Sequence, residues 1–304
     1  MKVGRDGEGL VALDESREAW VRIPGQDLIA LLGDAQALAD AEADLAQGEP
    51  AGPPSGLPFV PRSFRDFSIY ESHMINSARG LAQRFFPKPV KPITQAFERV
   101  TGRDFPKFKP PPKFYERPLF YMGNHTTFFG DGEEVPWPAY TEFLDFELEL
   151  GVVIKRRIQD ASPAQGLAAI GGLVVINDWS ARDVQAEEYR RGVFGPVVKT
   201  KSFANSMGAS ILTDGLADWA DRRAAVRVNG ETWAESSTAG AQHDLGDMVA
   251  YASEGEPLDA GDLLATGTLP GCCGLELDRW VRKGDLVELD IEGVGVLRNR
   301  VASA

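Results

Sequence analysis

Residues 145–154 read DFELELGVVI. Phe146, Leu148 and Leu150 alternate with Asp145, Glu147 and Glu149, and a period of two is that of a β-strand, so the three carboxylates fall on one face. Glu147 and Glu149 then point the same way. Residues 173–185, LVVINDWSARDVQ, form an apolar run that ends at Asn177-Asp178 and passes into a polar helix or turn. A third acid, Asp178, is thereby placed at a strand end, with Arg182 and Gln185 close behind it and Lys201 following in KTKSF. Acids alternating along a strand are, taken alone, the solvated face of a half-buried sheet. That reading does not account for an Asp at the end of an apolar run with an Arg four positions later. Two spaced carboxylates, a third from another element and nearby cationic donors point instead to a hard divalent cation held by oxygen.

The chain has 304 residues, 43% hydrophobic and 25% charged, enough for one large domain or a small domain plus a larger one. A net charge of −13 argues against nucleic acid or an anionic membrane as partner, since either needs a concentrated basic surface. No apolar run approaches the roughly 20 residues that span a bilayer. The N-terminal MKVGRDGEGL lacks the apolar core of a signal peptide, so a cytoplasmic location is expected. The two cysteines, Cys272 and Cys273, are adjacent, which disfavours a disulfide framework or a zinc site and leaves them as packing residues.

From the N-terminus, GLVAL and AWVRI flank the turn-like DESRE and predict a hairpin. Residues 27–47 carry Ala and Leu at helical spacing, and the Gly/Pro-rich residues 48–58 then break regular structure. A small N-terminal domain with its linker is therefore expected over 1–60, followed by a larger domain over 61–304. Residues 61–80 read as one helix capped by Ser63, with Asp66 and His73 two turns apart on one face. A lone helical His is most often exposed or structurally satisfied, but the chain has only three histidines from which to draw a base active near neutral pH. His243 looks like a helix start, in a capping or surface role. Residues 86–113, dense in Pro and Lys, read as a solvated loop or, functionally, as a loop over the site with lysines for an acidic substrate. Asn229-Gly230 between Val226–Val228 and Glu231–Trp233 is a strong hairpin signal. TGTLPG lacks the lysine and helix of a phosphate loop, which leaves a tight backbone approach to substrate. Short strand-type runs dominate after residue 115, so the larger domain is expected to be mainly β (α+β), a rolled or barrel-like mixed sheet.

Taken together, DFELEL, NDWSARDVQ, KSF, GDLLATGT and CGLELDRW with GDLVELDIEGVGVLRNRV resemble the fumarylacetoacetate hydrolase family over roughly residues 60–304. The resemblance implies a mixed β-roll, a divalent metal, usually Mg²⁺ though Mn²⁺ or Ca²⁺ can serve, a small-molecule oxo-acid substrate and commonly a homodimer. It places metal carboxylates at Glu147, Glu149 and Asp178. Asp66 resembles a fourth ligand of the fumarylacetoacetase branch, in which an Asp-Phe pair precedes the catalytic histidine by the spacing from Asp66 to His73. Glu276 matches the glutamate that orients that histidine. Arg182, Gln185 and Lys201 match groups that contact the reacting oxygens, and Tyr121 and Thr268 match substrate-contacting positions. The activity implied is hydrolysis of a carbon–carbon bond in a diketo acid of fumarylacetoacetate or acylpyruvate type, as in aromatic catabolism, with water activated by the His–Glu pair. Decarboxylases, isomerases and hydratases of 2-oxo acids share the carboxylate site, and a catalytically silent binding homologue is the reading from another class. The sequence departs from the family after KSF, where Ala204-Asn205-Ser206 stands in place of a Gly or Asp followed by Thr.

Overall fold

A computed structural model describes residues 1–303. Strand Glu147–Ile154 is its centre, and all eight of its residues are buried. It pairs antiparallel with Ile170–Asp178 on one side and with Leu263–Cys273 on the other. The two faces of this strand go to different cores. Leu148, Leu150, Val152 and Ile154 join a cluster with residues of a second sheet, whereas Val153 joins another cluster with Val174, Ile176, Ala265 and Phe64. The period of two in the sequence is thus a real division of faces, although both are buried and neither is solvated.

The main sheet has eleven strands. Its path runs Ala19–Arg22, Leu10–Asp14, Lys2–Arg5, Ser210–Leu212, Ile170–Asp178, Glu147–Ile154, Leu263–Cys273, Phe64–Ser68 and Leu119–Gly123, with Asn205–Met207 and Phe128–Phe129 off this path. A five-stranded sheet of Glu231–Ser237, Arg223–Val228, Leu286–Ile291, Gly295–Val301 and Glu134–Val135 packs across the larger cluster. There is more strand than helix, and the sheets do not close into a barrel. No helix among the described residues is long and apolar enough to cross a membrane.

The expected hairpins form. Leu10–Asp14 pairs with Ala19–Arg22, and Arg223–Val228 turns into Glu231–Ser237 through Asn229 and Gly230, both at positive φ as a two-residue hairpin turn requires. The first strand, Lys2–Arg5, pairs with Ser210–Leu212, so a continuous sheet crosses the division expected at residue 60.

Three expectations are corrected. Residues 27–47 are not one helix but Leu28–Gly33 and Ala35–Asp44, because Asp34 adopts an extended conformation and caps the second with its own carboxylate. Residues 61–80 are not one helix either. Phe64–Ser68 is a strand, held parallel to Leu263–Cys273 and antiparallel to Leu119–Gly123, and the helix Glu71–Phe85 begins only after it. Ser63 caps nothing; its hydroxyl donates to Asp262. The Pro/Lys-rich residues contain the helix Val90–Thr101, with Pro92 in its first turn, where no intrahelical N–H bond is lost. That helix is tied to Glu71–Phe85 through Arg79, which pairs with Glu98 at 3.0 Å.

Candidate active site

Register decides which side chains meet. Ile176 lies opposite Glu149, Ala265 opposite Asp66, Tyr121 opposite Asp66, and Thr268 opposite Glu149. Asp178 shares its face with Val174 and Ile176 by alternation. Asp66, Tyr121, Glu149, Asp178 and Thr268 therefore stand on one face of the main sheet, each on a different strand. All five are buried or nearly so.

One carboxylate oxygen from each of Asp66, Glu149 and Asp178 lies within 4.8 Å of the other two. Asp66 Oδ1, Glu149 Oε2 and Asp178 Oδ1 are buried without a hydrogen-bond partner. Burial, then the charges of Glu149 and Asp178, holds the Asp66 carboxyl well above the usual range, and burial with Asp178 and Glu147 does the same to Glu149. Asp178 is also raised by burial, with Lys201 opposing. Acids converging on unpartnered oxygens form an oxygen-rich donor set that fits a hard divalent cation, and they are costly without one. Tyr121 donates at 2.9 Å to Asp66 Oδ2 or Asp178 Oδ2, bridging the two carboxylates. Thr268 reaches Glu149 Oε1 at 3.4 Å.

Glu147 sits differently from the other expected ligands. Asp66, Glu149 and Asp178 form the all-carboxylate cluster among the described residues, whereas the Glu147 carboxylate is taken by two cations. Arg182 pairs with its Oε1 at 2.6 Å, and the Lys201 ammonium lies between its Oε2 and Asp178 Oδ2. Burial opposes ionisation of Glu147, but Lys201 and Arg182 outweigh it and hold the carboxyl well below its usual range. The same carboxylates raise the lysine against its own desolvation, so Lys201 stays charged. Asp145, which the sequence places on the same strand, is instead separated from it at Phe146. It anchors Arg182 at 2.7 Å while accepting the backbone N–H groups of Gly274 and Leu275. Sequence reasoning missed this supporting role, although the alternation that picks out Asp145 was visible. Arg182 Nη1 in turn donates to Gln185 Oε1 at 3.0 Å.

His73 lies in the first turn of Glu71–Phe85, not on a helix shared with Asp66. Its Nδ1 is 2.6 Å from Glu276 Oε1, and Glu276 Oε2 accepts the Gly271 N–H at 3.1 Å. A carboxylate on Nδ1 fixes the tautomer with Nε2 as the acceptor, and the Ser77 hydroxyl lies 3.3 Å from Nε2. Close contact between the helix and the turn Gly274–Leu277 brings the two together. At Gly80 a Cβ would lie 2.6 Å from the Leu275 carbonyl oxygen, so only glycine permits the approach. Cys273 adds a weak contact to Glu276 at 3.5 Å, and burial pushes its thiol, like that of Cys272, upward. His243 has no part here; it bonds the Phe114 carbonyl at 2.7 Å.

Asp66, His73, Tyr121, Glu147, Glu149, Arg182, Gln185, Lys201 and Thr268 all border one cavity of about 330 Å³, with Asp178 and Glu276 directly behind its lining. Gly267, at φ +83°, meets the Phe67 carbonyl at 2.4 Å from where its Cβ would be, so the tight approach expected of TGTLPG is to a neighbouring strand as well as to the cavity.

Comparison with known proteins adds the following. Residues 93–302 match the model of the fumarylacetoacetate (FAA) hydrolase C-terminal family. Over 242 residues the chain is 32% identical to the 4-hydroxyphenylacetate degradation bifunctional isomerase/decarboxylase of Escherichia coli, a match that covers 72% of this chain and 53% of that protein. It is 31% identical over 186 residues to a mitochondrial oxaloacetate tautomerase of Pongo abelii, covering 60% and 80% of the two chains. The chain thus spans about half the length of the first of these relatives. Among solved structures it resembles fumarylacetoacetate hydrolase from Exiguobacterium antarcticum, at a TM-score of 0.70 and 22% identity over 100% of this chain and 98% of that one. It also resembles fumarylpyruvate hydrolase from Pseudomonas aeruginosa in complex with Mn²⁺ and pyruvate, at a TM-score of 0.59 and 21% identity over 80% and 90%.

Proposed function

The chain belongs to the fumarylacetoacetate hydrolase family, and from that premise we propose that it is a Mg²⁺-dependent hydrolase, with Mn²⁺ able to substitute, that cleaves a carbon–carbon bond in a 2,4-dioxo acid. The observation that carries this reading is the His73–Glu276 pair, 2.6 Å apart, opening onto the same cavity as three converging carboxylates. Asp66, Glu149 and Asp178 would hold the cation, with Glu147 beside them. When bound, the cation polarises the paired oxygens of the dioxo acid and favours negative charge on them.

The remaining work falls to the chain's own groups. Glu276 holds Nδ1–H, so Nε2 of His73 accepts a proton from water, and the hydroxide adds to the acyl carbonyl. As the carbon–carbon bond breaks, its electron pair passes to the leaving oxo acid as an enolate, which the proton held by His73 then quenches. Lys201, kept charged by Glu147 and Asp178, supplies a cationic donor where that charge develops. Arg182, clamped by Asp145 and Glu147, fixes the position of Gln185 and of the Glu147 carboxylate. Tyr121 holds Asp66 and Asp178 at their separation.

The test is to incubate the Mn²⁺-loaded protein with a panel of acylpyruvates and follow products by NMR. Stoichiometric carboxylic acid and pyruvate support hydrolysis. A second reading, decarboxylation or isomerisation of a 2-oxo acid, is favoured by the names of the Escherichia coli relatives. Release of carbon dioxide, or keto–enol exchange without cleavage, would select it instead.

A further inference from the structure

The walls of the cavity differ in character from its floor. His73 lies at the floor, and along the same helix Ala78 and Leu81 continue the lining; Leu81 is eight residues on, or roughly 12 Å along the axis. Phe67, Leu119, Phe120 and Leu275 line it from other elements. The only cations in the lining are Arg182 and Lys201, and both are committed to buried carboxylates at the floor.

The basic residues around the outer part do not border the cavity. None of the lysines between residues 86 and 113 borders the cavity, because that segment folds as a helix against the far side of Glu71–Phe85. Near the opening, Arg190 stacks over Phe86 at 5.7 Å and Arg191 faces Glu187 at 3.9 Å. What the chain does place there is apolar: Tyr189, Pro196 and Val197 line the cavity, and between them Val193 and Phe194 are 88% and 82% exposed.

Resting on the oxo-acid reading above, we infer that the substrate is a monocarboxylate whose acyl portion is an uncharged, apolar chain or ring, and that a second terminal carboxylate is excluded. A tail carboxylate carried along this wall would lose its hydration without meeting a cation, and an unpaired buried charge is strongly disfavoured. An alkyl or aryl tail removes apolar surface from water on both partners. The outer wall therefore sets specificity, and Ala78 and Leu81 are the residues of Glu71–Phe85 that read the tail.

The experiment measures equilibrium binding, so it does not depend on which reaction follows. The Mn²⁺-loaded protein is titrated calorimetrically with 2-oxooctanoate and with 2-oxooctanedioate, chains too short to extend past Leu81. The monoacid is expected to bind at least about 30-fold more tightly. Equal or tighter binding of the diacid overturns the inference while leaving the oxo-acid site intact. Binding of neither, with Mn²⁺ held, overturns the inference together with the oxo-acid reading beneath it. In Ala78→Lys, a half-buried position that can carry a long cation outward, the preference should fall at least about 10-fold. Persistence of the full preference in a variant that still binds Mn²⁺ would overturn the role given to this wall.

Discussion

Replacing Glu149 with Gln separates the cost of the carboxylate cluster from its use. The Glu149 oxygen lies within 4.8 Å of those of Asp66 and Asp178, and two like charges at that distance repel by about 3 kcal/mol at an effective dielectric near 20. Burial and these neighbours hold the Glu149 carboxyl well above its usual range, so the folded chain binds that proton more tightly than the unfolded chain does. Such a group contributes stability that is complete below the unfolded value of about 4.3 and is lost as the pH rises through the folded value. The amide cannot titrate. In chelator at pH 5 the two proteins should therefore melt close together, whereas at pH 8 the variant should be more stable by up to about 3 kcal/mol. A chain of 304 residues has an unfolding entropy of about 0.6 kcal/mol/K, so the melting temperature should rise by about 5 °C. With saturating Mn²⁺ that advantage should largely vanish, because the lost ligand lowers affinity by about 10²-fold and removes about 2.7 kcal/mol of ligand-linked stability. Thermal unfolding by circular dichroism, with and without Mn²⁺ at both pH values, reads all four states. A variant less stable than the parent at pH 8 in chelator, or one stabilised equally by Mn²⁺, would refute the reasoning.

Other substitutions probe the remaining parts. His73→Ala should lower kcat by about 10²-fold or more while leaving calorimetric Mn²⁺ affinity nearly unchanged, and loss of both together would misplace its role. Asp145→Ala strips a buried partner from Arg182 and should destabilise the fold by about 3–5 kcal/mol in urea titrations; a change under 1 kcal/mol would show that Glu147 alone suffices. Gly80→Ala gains helix propensity of about 1 kcal/mol but drives a Cβ into the Leu275 carbonyl, so kcat should fall while Mn²⁺ affinity holds. Unaltered turnover would uncouple the helix position from the His73–Glu276 pair. Burial pushes the Cys272 thiol up to about 12, so the native protein should resist iodoacetamide at pH 8 and react only on unfolding, as mass spectrometry would record.

The carboxylates were legible because a strand with one functional face writes itself as alternation, and DFELEL does so even though both faces turn out to be buried. The Asn229-Gly230 turn was legible for a local reason, since positive φ at two consecutive positions restricts the residues that can serve. Phe64–Ser68 was not legible. FRDFS carries no strand signal of its own, and it is a strand because Leu263–Cys273 and Leu119–Gly123 flank it. The helix Val90–Thr101 was hidden by prolines that are harmless in a first turn. Glu147 shows a different limit. Its backbone position was correctly placed on the acidic face, but its partners Arg182 and Lys201 reach it from distant segments, and no spacing in the sequence records where a long cationic side chain will settle.

The strand Leu263–Cys273 runs directly into the turn Gly274–Leu277, so Thr268, beside the carboxylate nest, and Glu276, beside His73, belong to one continuous segment. The nest is built from sheet register and survives any change in that turn which leaves the strands paired. The His73 pairing does not, because losing Glu276 or shifting it by one position would release Nδ1 of His73 while Asp66, Glu149 and Asp178 stay on their strands. On the proposed reading, the proton-transfer pair and the oxygen cluster are therefore separable, and the first could change through substitutions in this turn alone.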